Sequence, residues 1–274
     1  MQTPKSILLH LDGSDRTAER IKFARSLAEA FDAQVTGMPC TMSALMRYPF
    51  ALDGAAEAIA IMRESDKAAR DRMYASFTAH AAGSHRMHWT EPESDAPWGF
   101  ARHALYADLV ILGQRNPEDP MVSELPGDFL PDLLVKSGRP ALVLPYAGPL
   151  VAAARTVLVG WKETPEAARA VSAALPWLRA ASHVHVACHG KDAEASLKQL
   201  QRYLAIQGIA GVSLHAGGIE ESDAGNRLLS MAADLGADML VMGCYGHSRA
   251  REWILGGATR TMLESMTLPV LMSR

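Results

Sequence analysis

The run Gly243-Cys244-Tyr245-Gly246-His247-Ser248-Arg249-Ala250-Arg251-Glu252-Trp253-Ile254-Leu255-Gly256-Gly257-Ala258-Thr259-Arg260 brings glycines, hydroxyls and cations into one segment. It directly follows Leu240–Met242, an apolar run that reads as a buried strand. Gly243 and Gly246 permit close backbone approach and positive φ. Gly256 and Gly257 precede a helical pattern over Ala258 to Met266, whose first N–H groups and dipole favour an anion. His247, Arg249, Arg251 and Arg260 add donors or positive charge. Two glycine turns facing one space would cradle a phosphate without a Walker-type lysine. The same glycines also suit ordinary turns after parallel strands, and spacing alone leaves both readings open.

Other chemistry is sparse. No Gly-x-Ser-x-Gly elbow is present, and no Ser/His/Asp set assembles, so no catalytic residue is assigned. Asp12 and Ser14 follow the first strand, where Asp and Ser also cap helices. His80, His85 and His88 cluster near an expected helix end, and His183 and His185 precede Cys188-His189. None of these matches a standard zinc spacing, and surface and alternating strand positions account for them more simply, so no metal site is assigned. Met38, Met42, Met46, Met62 and Met73 fall at irregular spacing and read as core or interface filler, with Tyr48 and Phe50 nearby. An insert packed on its own domain explains them with fewer assumptions than a partner surface.

Composition narrows the classes. The 274 residues carry a formal charge of −3 and no basic stripe, which argues against nucleic acid as a partner. The three cysteines, Cys40, Cys188 and Cys244, form no CxxC pair and fit a reducing compartment. No signal-peptide pattern opens the sequence, and no apolar stretch is long enough to span a bilayer, so a cytoplasmic protein without membrane contact is expected.

An internal repeat organises the chain. Ile7-Leu8-Leu9 matches Val157-Leu158-Val159, the turn Leu11 to Ser14 matches Trp161 to Thr164, and an amphipathic helix follows in each copy. Gln34 to Met38 matches His183 to Ala187, and Ala107 to Gly113 matches Ala237 to Gly243. Each copy closes on proline and an apolar run, at Pro140 and Pro269. The linker is the proline- and glycine-bearing stretch Pro145 to Ala153, which gives domains of residues 1–146 and 153–274. The short apolar strands Ile7–Leu11, Leu109–Leu112, Ala141–Leu144, Val157–Trp161, Leu240–Met242 and Val270–Met272 do not alternate, as expected for parallel strands covered on both faces. With helices between them, they predict tandem doubly wound, Rossmann-like α/β domains. Thr164 with Pro165 marks a helix start, and Ser14 and Asp192 are expected to cap likewise. Ligands in such sheets bind at strand carboxyl ends, which nominates Gly160–Thr164, Ala187–Lys191 and Gly243–Thr259.

Gly-x2-Gly-x9-Gly, filled by Gly243, Gly246 and Gly256, resembles the ATP-binding signature of the universal stress protein family. The runs Tyr245 to Arg249, Leu255 to Arg260 and Pro269 to Met272, with Val159-Gly160-Trp161 and Pro165 to Ala170, are similar to tandem-domain bacterial members. The likeness spans nearly the whole chain and is weakest from Thr41 to Thr90. It implies a flavodoxin-like, mostly parallel five-stranded sheet in each domain and domain pairing about a pseudo-twofold axis. It also implies a nucleotide site from Gly243, Gly246, His247, Ser248, Gly256, Gly257, Ala258 and Thr259, with Gly160, Lys162 and Ala187 beside it.

The departures are specific. The family places Ser or Thr after the third glycine, where this chain has Gly257, with Thr259 as a substitute hydroxyl. It places Asp after the first strand, where the second copy has Lys162. The first copy keeps Asp12 and Gly113 but has Asn116 for the second glycine, and Asp119, Glu124 and Asp128 crowd the segment around Gly127. Carboxylates there would repel a phosphate. The expectation is a stress-response switch or signalling protein that binds ATP or a related adenine nucleotide, with Mg, in its second copy. The first copy is a degenerate partner. Intramolecular domain pairing, a homodimer and an unidentified protein partner are expected, with at most slow ATP hydrolysis. The alternative is a dimeric stress scaffold that has lost nucleotide binding. An adenylate-forming enzyme would need a His-x-Gly-His type motif that neither copy has.

Overall fold

The computed structural model describes residues 3–48, 56–92, 98–119, 125–217, 223–245 and 257–274. By contact density the chain divides at 137/138 into two compact units. The N-terminal unit contains β1 (Ser6–Leu11), α1 (Thr17–Phe31), β2 (Gln34–Pro39), α2 (Ala44–Arg47), α3 (Ala56–Ala81), β3 (Met87–Trp89), α4 (Trp98–Ala104), β4 (Leu109–Gly113) and α5 (Phe129–Lys136). The C-terminal unit contains β5 (Ala141–Leu144), β6 (Thr156–Trp161), α6 (Pro165–Ala180), β7 (His183–His189), α7 (Ala193–Ile206), β8 (Ser213–Gly217), α8 (Ala224–Asp234), β9 (Met239–Gly243), α9 (Ala258–Ser265) and β10 (Val270–Ser273). All six strands expected from non-alternating apolar runs are present, and their interiors are buried.

In the N-terminal unit the strands run β3-β2-β1-β4, all parallel. In the C-terminal unit β8, β7, β6, β9 and β10 form a parallel sheet in that order, the order of a doubly wound flavodoxin-like domain. β5 adds to this sheet antiparallel to β10, with Leu142 opposite Leu271. The strand closing the first sequence repeat thus lies within the C-terminal unit.

The repeat is visible in hydrogen bonds as well as in strands. Asp108 Oδ2 accepts from the Lys5 and Ser6 amides at 2.9 and 3.0 Å. Asp238 Oδ2 accepts from the Arg155 and Thr156 amides at 2.8 and 2.9 Å. Each carboxylate satisfies donors that open a central strand and would otherwise lack partners.

Helix starts differ in how they are held. Thr164 caps α6 through its hydroxyl, which accepts from the Ala167 amide at 3.4 Å, with Pro165 opening the helix. Asp192 occupies the cap position of α7 but makes no side-chain bond there. Ser14 does not cap α1. Arg16 is the cap residue, and the Ser14 amide and hydroxyl both turn to Asp12. Thr164→Ala should therefore cost about 1 kcal/mol and Asp192→Ala less than about 0.5 kcal/mol, read from urea denaturation of the two variants.

Residues 41–90, where the sequence pointed only to a helix end near His80, contain the 26-residue α3, of which only Met73, Phe77 and Ala81 are buried. A β-carbon on Gly37 would press on the Phe77 ring at 2.5 Å, so the bare strand backbone is what lets α3 sit down on β2. Of the methionines, Met38 and Met73 are core, whereas Met46 is 47% exposed. Tyr48 is exposed and Phe50 lies outside the described residues.

Candidate functional site

The central strands of the C-terminal unit end together, with Gly160, Ala187 and Gly243 at or near those ends. Gly160 lies near the end of β6, in register with Ala187 of β7 on one side and Met242 of β9 on the other. Lys162 follows β6 on the surface, its carbonyl accepting from the Thr164 amide at 2.7 Å. Gly243 ends β9. A β-carbon there would come within 2.6 Å of the Ala167 nitrogen, so the missing side chain lets the start of α6 rest on the strand. Gly160 is bare for a similar reason, because the Leu228 side chain of α8 fills the space a β-carbon would need.

Tyr245 turns the chain sharply after β9, with φ of 54°. Its amide donates to Thr259 Oγ1 at 3.3 Å, and Thr259 is buried. This bond pins the start of the glycine-rich segment to the first turn of α9. Gly257 is the cap residue of α9 and offers no side chain to its amides. Among the described residues no hydroxyl or carboxylate caps the backbone donors of Gly257, Ala258 and Thr259 at this helix start. The Thr259 hydroxyl, expected to replace the missing serine, accepts from Tyr245 and serves the turn. Gly246, His247, Ser248, Arg249, Arg251 and Gly256 lie in 246–256, outside the described residues.

The corresponding position in the N-terminal unit is occupied by the protein itself. Arg20 of α1 is 2% exposed and reaches over the end of β4, so that a β-carbon on Gly113 would collide with its guanidinium. Its Nη1 donates to the His10 carbonyl at 3.0 Å and to Asp12 Oδ2 at 3.2 Å. Asp12 Oδ1 accepts from the Ser14 and Thr17 hydroxyls, each at 2.5 Å. Burial opposes ionisation of Asp12, but Arg20, His10 and the two hydroxyls outweigh it and hold the carboxyl well below the ordinary carboxylate range. His10 sits under this network against Phe100 and Phe129. Burial is the main cause that lowers it to about 4. Burial also pushes the Cys40 thiol upward.

Counting from the matched strands, His10, Asp12 and Arg20 correspond to Gly160, Lys162 and Ala170. Gly160 and Ala170 therefore lack the bulk of His10 and Arg20, and Lys162, in place of Asp12, is exposed. Asn116, which breaks the first copy's glycine spacing, uses its Oδ1 to accept from the Glu118 amide at 3.1 Å, a local turn. Asp119 lines a cavity of about 450 Å³ together with Asp12, Asp15, Ser14 and Arg72, so carboxylates outnumber cations in its lining. Glu124 lies outside the described residues.

Residues 153–274 match the model of the Universal stress protein family. The C-terminal half is a universal stress protein domain. Across the whole chain the fold is similar to a universal stress protein from Archaeoglobus fulgidus DSM 4304, with a TM-score of 0.74 and 14% identity over 100% of this chain and 97% of that one. It is also similar to a candidate universal stress protein from Pseudomonas aeruginosa UCBPP-PA14, with a TM-score of 0.62 and 15% identity over 98% and 93% of the two chains. A third similar structure, a protein of unknown function from Pseudomonas aeruginosa PAO1, has a TM-score of 0.59 and 15% identity over 98% and 92%. No curated protein sequence matches the chain. These identities establish the fold, mostly parallel α/β sheets of the universal stress protein type.

Within the universal stress protein domain, the sequence signature reports two things at once. Gly160 and Gly243 are demanded by helix packing, and the Tyr245–Thr259 bond ties the turn after β9 to the start of α9. The residues sequence reasoning missed are His10 and Arg20. An arginine on the inner face of an amphipathic helix, three residues from Thr17 and one before Ile21, was the available signal. The three cysteines are buried and form no disulfide. His80, His85 and His88 do not come together: His80 Nδ1 bonds the Ser76 carbonyl oxygen at 2.8 Å, His88 meets Gln34 Oε1 at 2.7 Å, and His85 is exposed. Among the described residues no helix is long and apolar enough to cross a membrane.

Proposed function

We propose that the C-terminal domain binds ATP or a related adenine nucleotide at the carboxyl ends of β6, β7 and β9, and that occupancy biases contact with a protein partner. The observation that carries this reading is the uncapped start of α9, tied by the Tyr245–Thr259 bond to the opening of the Gly-x2-Gly-x9-Gly segment. A phosphate placed there meets backbone donors and the positive end of the helix dipole. Lys162, exposed after β6, supplies a cation that can meet a second phosphate oxygen. The acceptor that an aspartate would offer a ribose at this position is absent. Glu252 is the sole carboxylate of the segment 243–259, so a metal-bound hydrolytic arrangement has little to build on and turnover is slow at most.

A scaffold without nucleotide is the second reading, favoured by Lys162, by Gly257 in place of a hydroxyl residue, and by the packing origin of Gly243. Calorimetric titration of ATP into the full chain, with and without magnesium, separates the two. Binding of one ATP per chain that disappears in Gly246→Asp is the expected result. No heat and no thermal shift at millimolar ATP would overturn it and leave the scaffold.

A further inference from the structure

On β7, residues 183, 185, 187 and 189 project from one face of the sheet, while Val184, Val186 and Cys188 are buried on the other. Ladder register sets Ala187 opposite His215 and His185 opposite Ser213 of β8, so His215 shares the face of His185. α7 covers the opposite face, where the Trp161 indole donates to Ser196 at 2.8 Å. α8 covers the histidine face only over β6, through Leu228 against Gly160. Towards β8 the face is left half-exposed and carries His183, His185 and His215.

His185 Nδ1 and His215 Nε2 point at each other across 3.0 Å, with the ring planes 35° apart. In the neutral pair one nitrogen donates its proton to the lone pair of the other. We infer that His185 Nδ1 and His215 Nε2 form a surface site for a late first-row divalent cation such as Zn²⁺, with water completing the coordination.

The geometry fits once each ring turns by roughly 45°, so that its lone pair leaves the line between the two nitrogens and aims at a shared metal. Two nitrogens 3.0 Å apart, each about 2.05 Å from a zinc ion, subtend roughly 95° at the metal. Opening to a tetrahedral angle needs the nitrogens to separate by only about 0.3 Å. The parallel ladder fixes both backbones, so the donors are held on rigid elements. Charge balance is simple. The ring that donates in the metal-free pair moves its proton to its other nitrogen through water, and both facing lone pairs are then free for the cation. Burial, with His215 and His183 close by, lowers the pKa of His185, so the metal need not displace a proton from an imidazolium there at neutral pH. No group of three or more His, Cys, Asp or Glu among the described residues could hold an ion, which makes this a two-histidine, water-completed and exchangeable site. It is independent of the nucleotide reading.

The test uses the full chain stripped with EDTA and titrated with ZnCl₂ by calorimetry, with ¹⁵N-histidine spectra recorded in parallel. The expected result is saturable binding in which the His185 and His215 ring nitrogens shift first. Loss of an outer partner alone costs a metal site about 10–100-fold, so His185→Asn or His215→Asn should weaken binding by at least about tenfold, while His88→Asn leaves it unchanged. Absence of saturable binding overturns the inference. So does zinc binding that leaves both ring signals in place or that survives both substitutions. The spectra of the unaltered chain decide the matter even if a variant folds poorly.

Discussion

Arg20→Met is expected to destabilise the N-terminal unit by roughly 3–5 kcal/mol, the cost of stranding one partner of a buried ion pair. The reason lies in Asp12, whose carboxylate is mostly enclosed and whose charge is held by Arg20 Nη1 at 3.2 Å. With methionine at position 20 the Ser14 and Thr17 hydroxyls still donate, but the compensating positive charge is gone and the His10 carbonyl loses a donor. The pair Asp12→Asn with Arg20→Met should recover a large part of the loss, because it removes the second charge along with the first. Urea denaturation of the two variants beside the parent checks this. A single variant within about 1 kcal/mol of the parent, or a pair no better than the single, would show that the ion pair does not hold the strand end. The same variant probes function. If the N-terminal copy binds no nucleotide only because its own arginine fills the position, ATP stoichiometry should rise in Arg20→Met, and an unchanged value would show that the arginine is not the sole cause.

Legibility in sequence followed the range over which each feature is determined. Leu109–Leu112 and Val157–Trp161 were readable because burial on both faces leaves a contiguous apolar run. β3 and β8 were not, since Met87–Trp89 is three residues long and Ser213–Gly217 leaves most side chains half-exposed or more. α3 was legible only at its end near His80, because three buried residues out of 26 leave almost no helical stripe to see. The antiparallel pairing of β5 with β10 was not legible either, because strand direction is decided by partners far away in sequence. At the candidate site, the glycine spacing pointed to strand ends but not to the packing that also requires glycine there. Gly243 would be required by α6 even without any ligand. Helix capping misled at Ser14, where a nearby buried carboxylate outcompetes the helix end for the hydroxyl. The His10–Asp12–Arg20 network left only the helix position of Arg20 as a signal, an easy one to pass over since an arginine on an amphipathic helix ordinarily faces water.

The network also makes stability depend on acidity. His10 is enclosed by Phe100, Phe129, Asp12 and Arg20, with Nε2 3.2 Å from the Cys40 carbonyl oxygen and Nδ1 3.4 Å from Arg20 Nη1. A neutral ring meets both contacts, donating from Nε2–H to the carbonyl and accepting at Nδ1 from the guanidinium. A proton on Nδ1 would confront that guanidinium in a buried site. Burial, opposed by Asp12 and aided by Arg20, accordingly lowers the ring from 6.5 to about 4. Between those two values the unfolded chain binds a proton that the folded chain refuses, so stability falls as pH drops from 6.5 towards 4. The full interval is worth about 3 kcal/mol. Asp12, also held below its ordinary value, has a linkage of the same sign but only at lower pH, so it does not account for the effect in this window. His185 and His189, both lowered chiefly by burial, act in the same direction from more exposed positions. His10→Gln keeps a donor for Cys40 and an acceptor for Arg20 without the titration. Denaturation midpoints measured from pH 7 to pH 4.5 should therefore fall steeply in the parent and less steeply in His10→Gln. Equal slopes would mean that the buried ring is already charged in the folded protein and that Asp12, not burial, governs it.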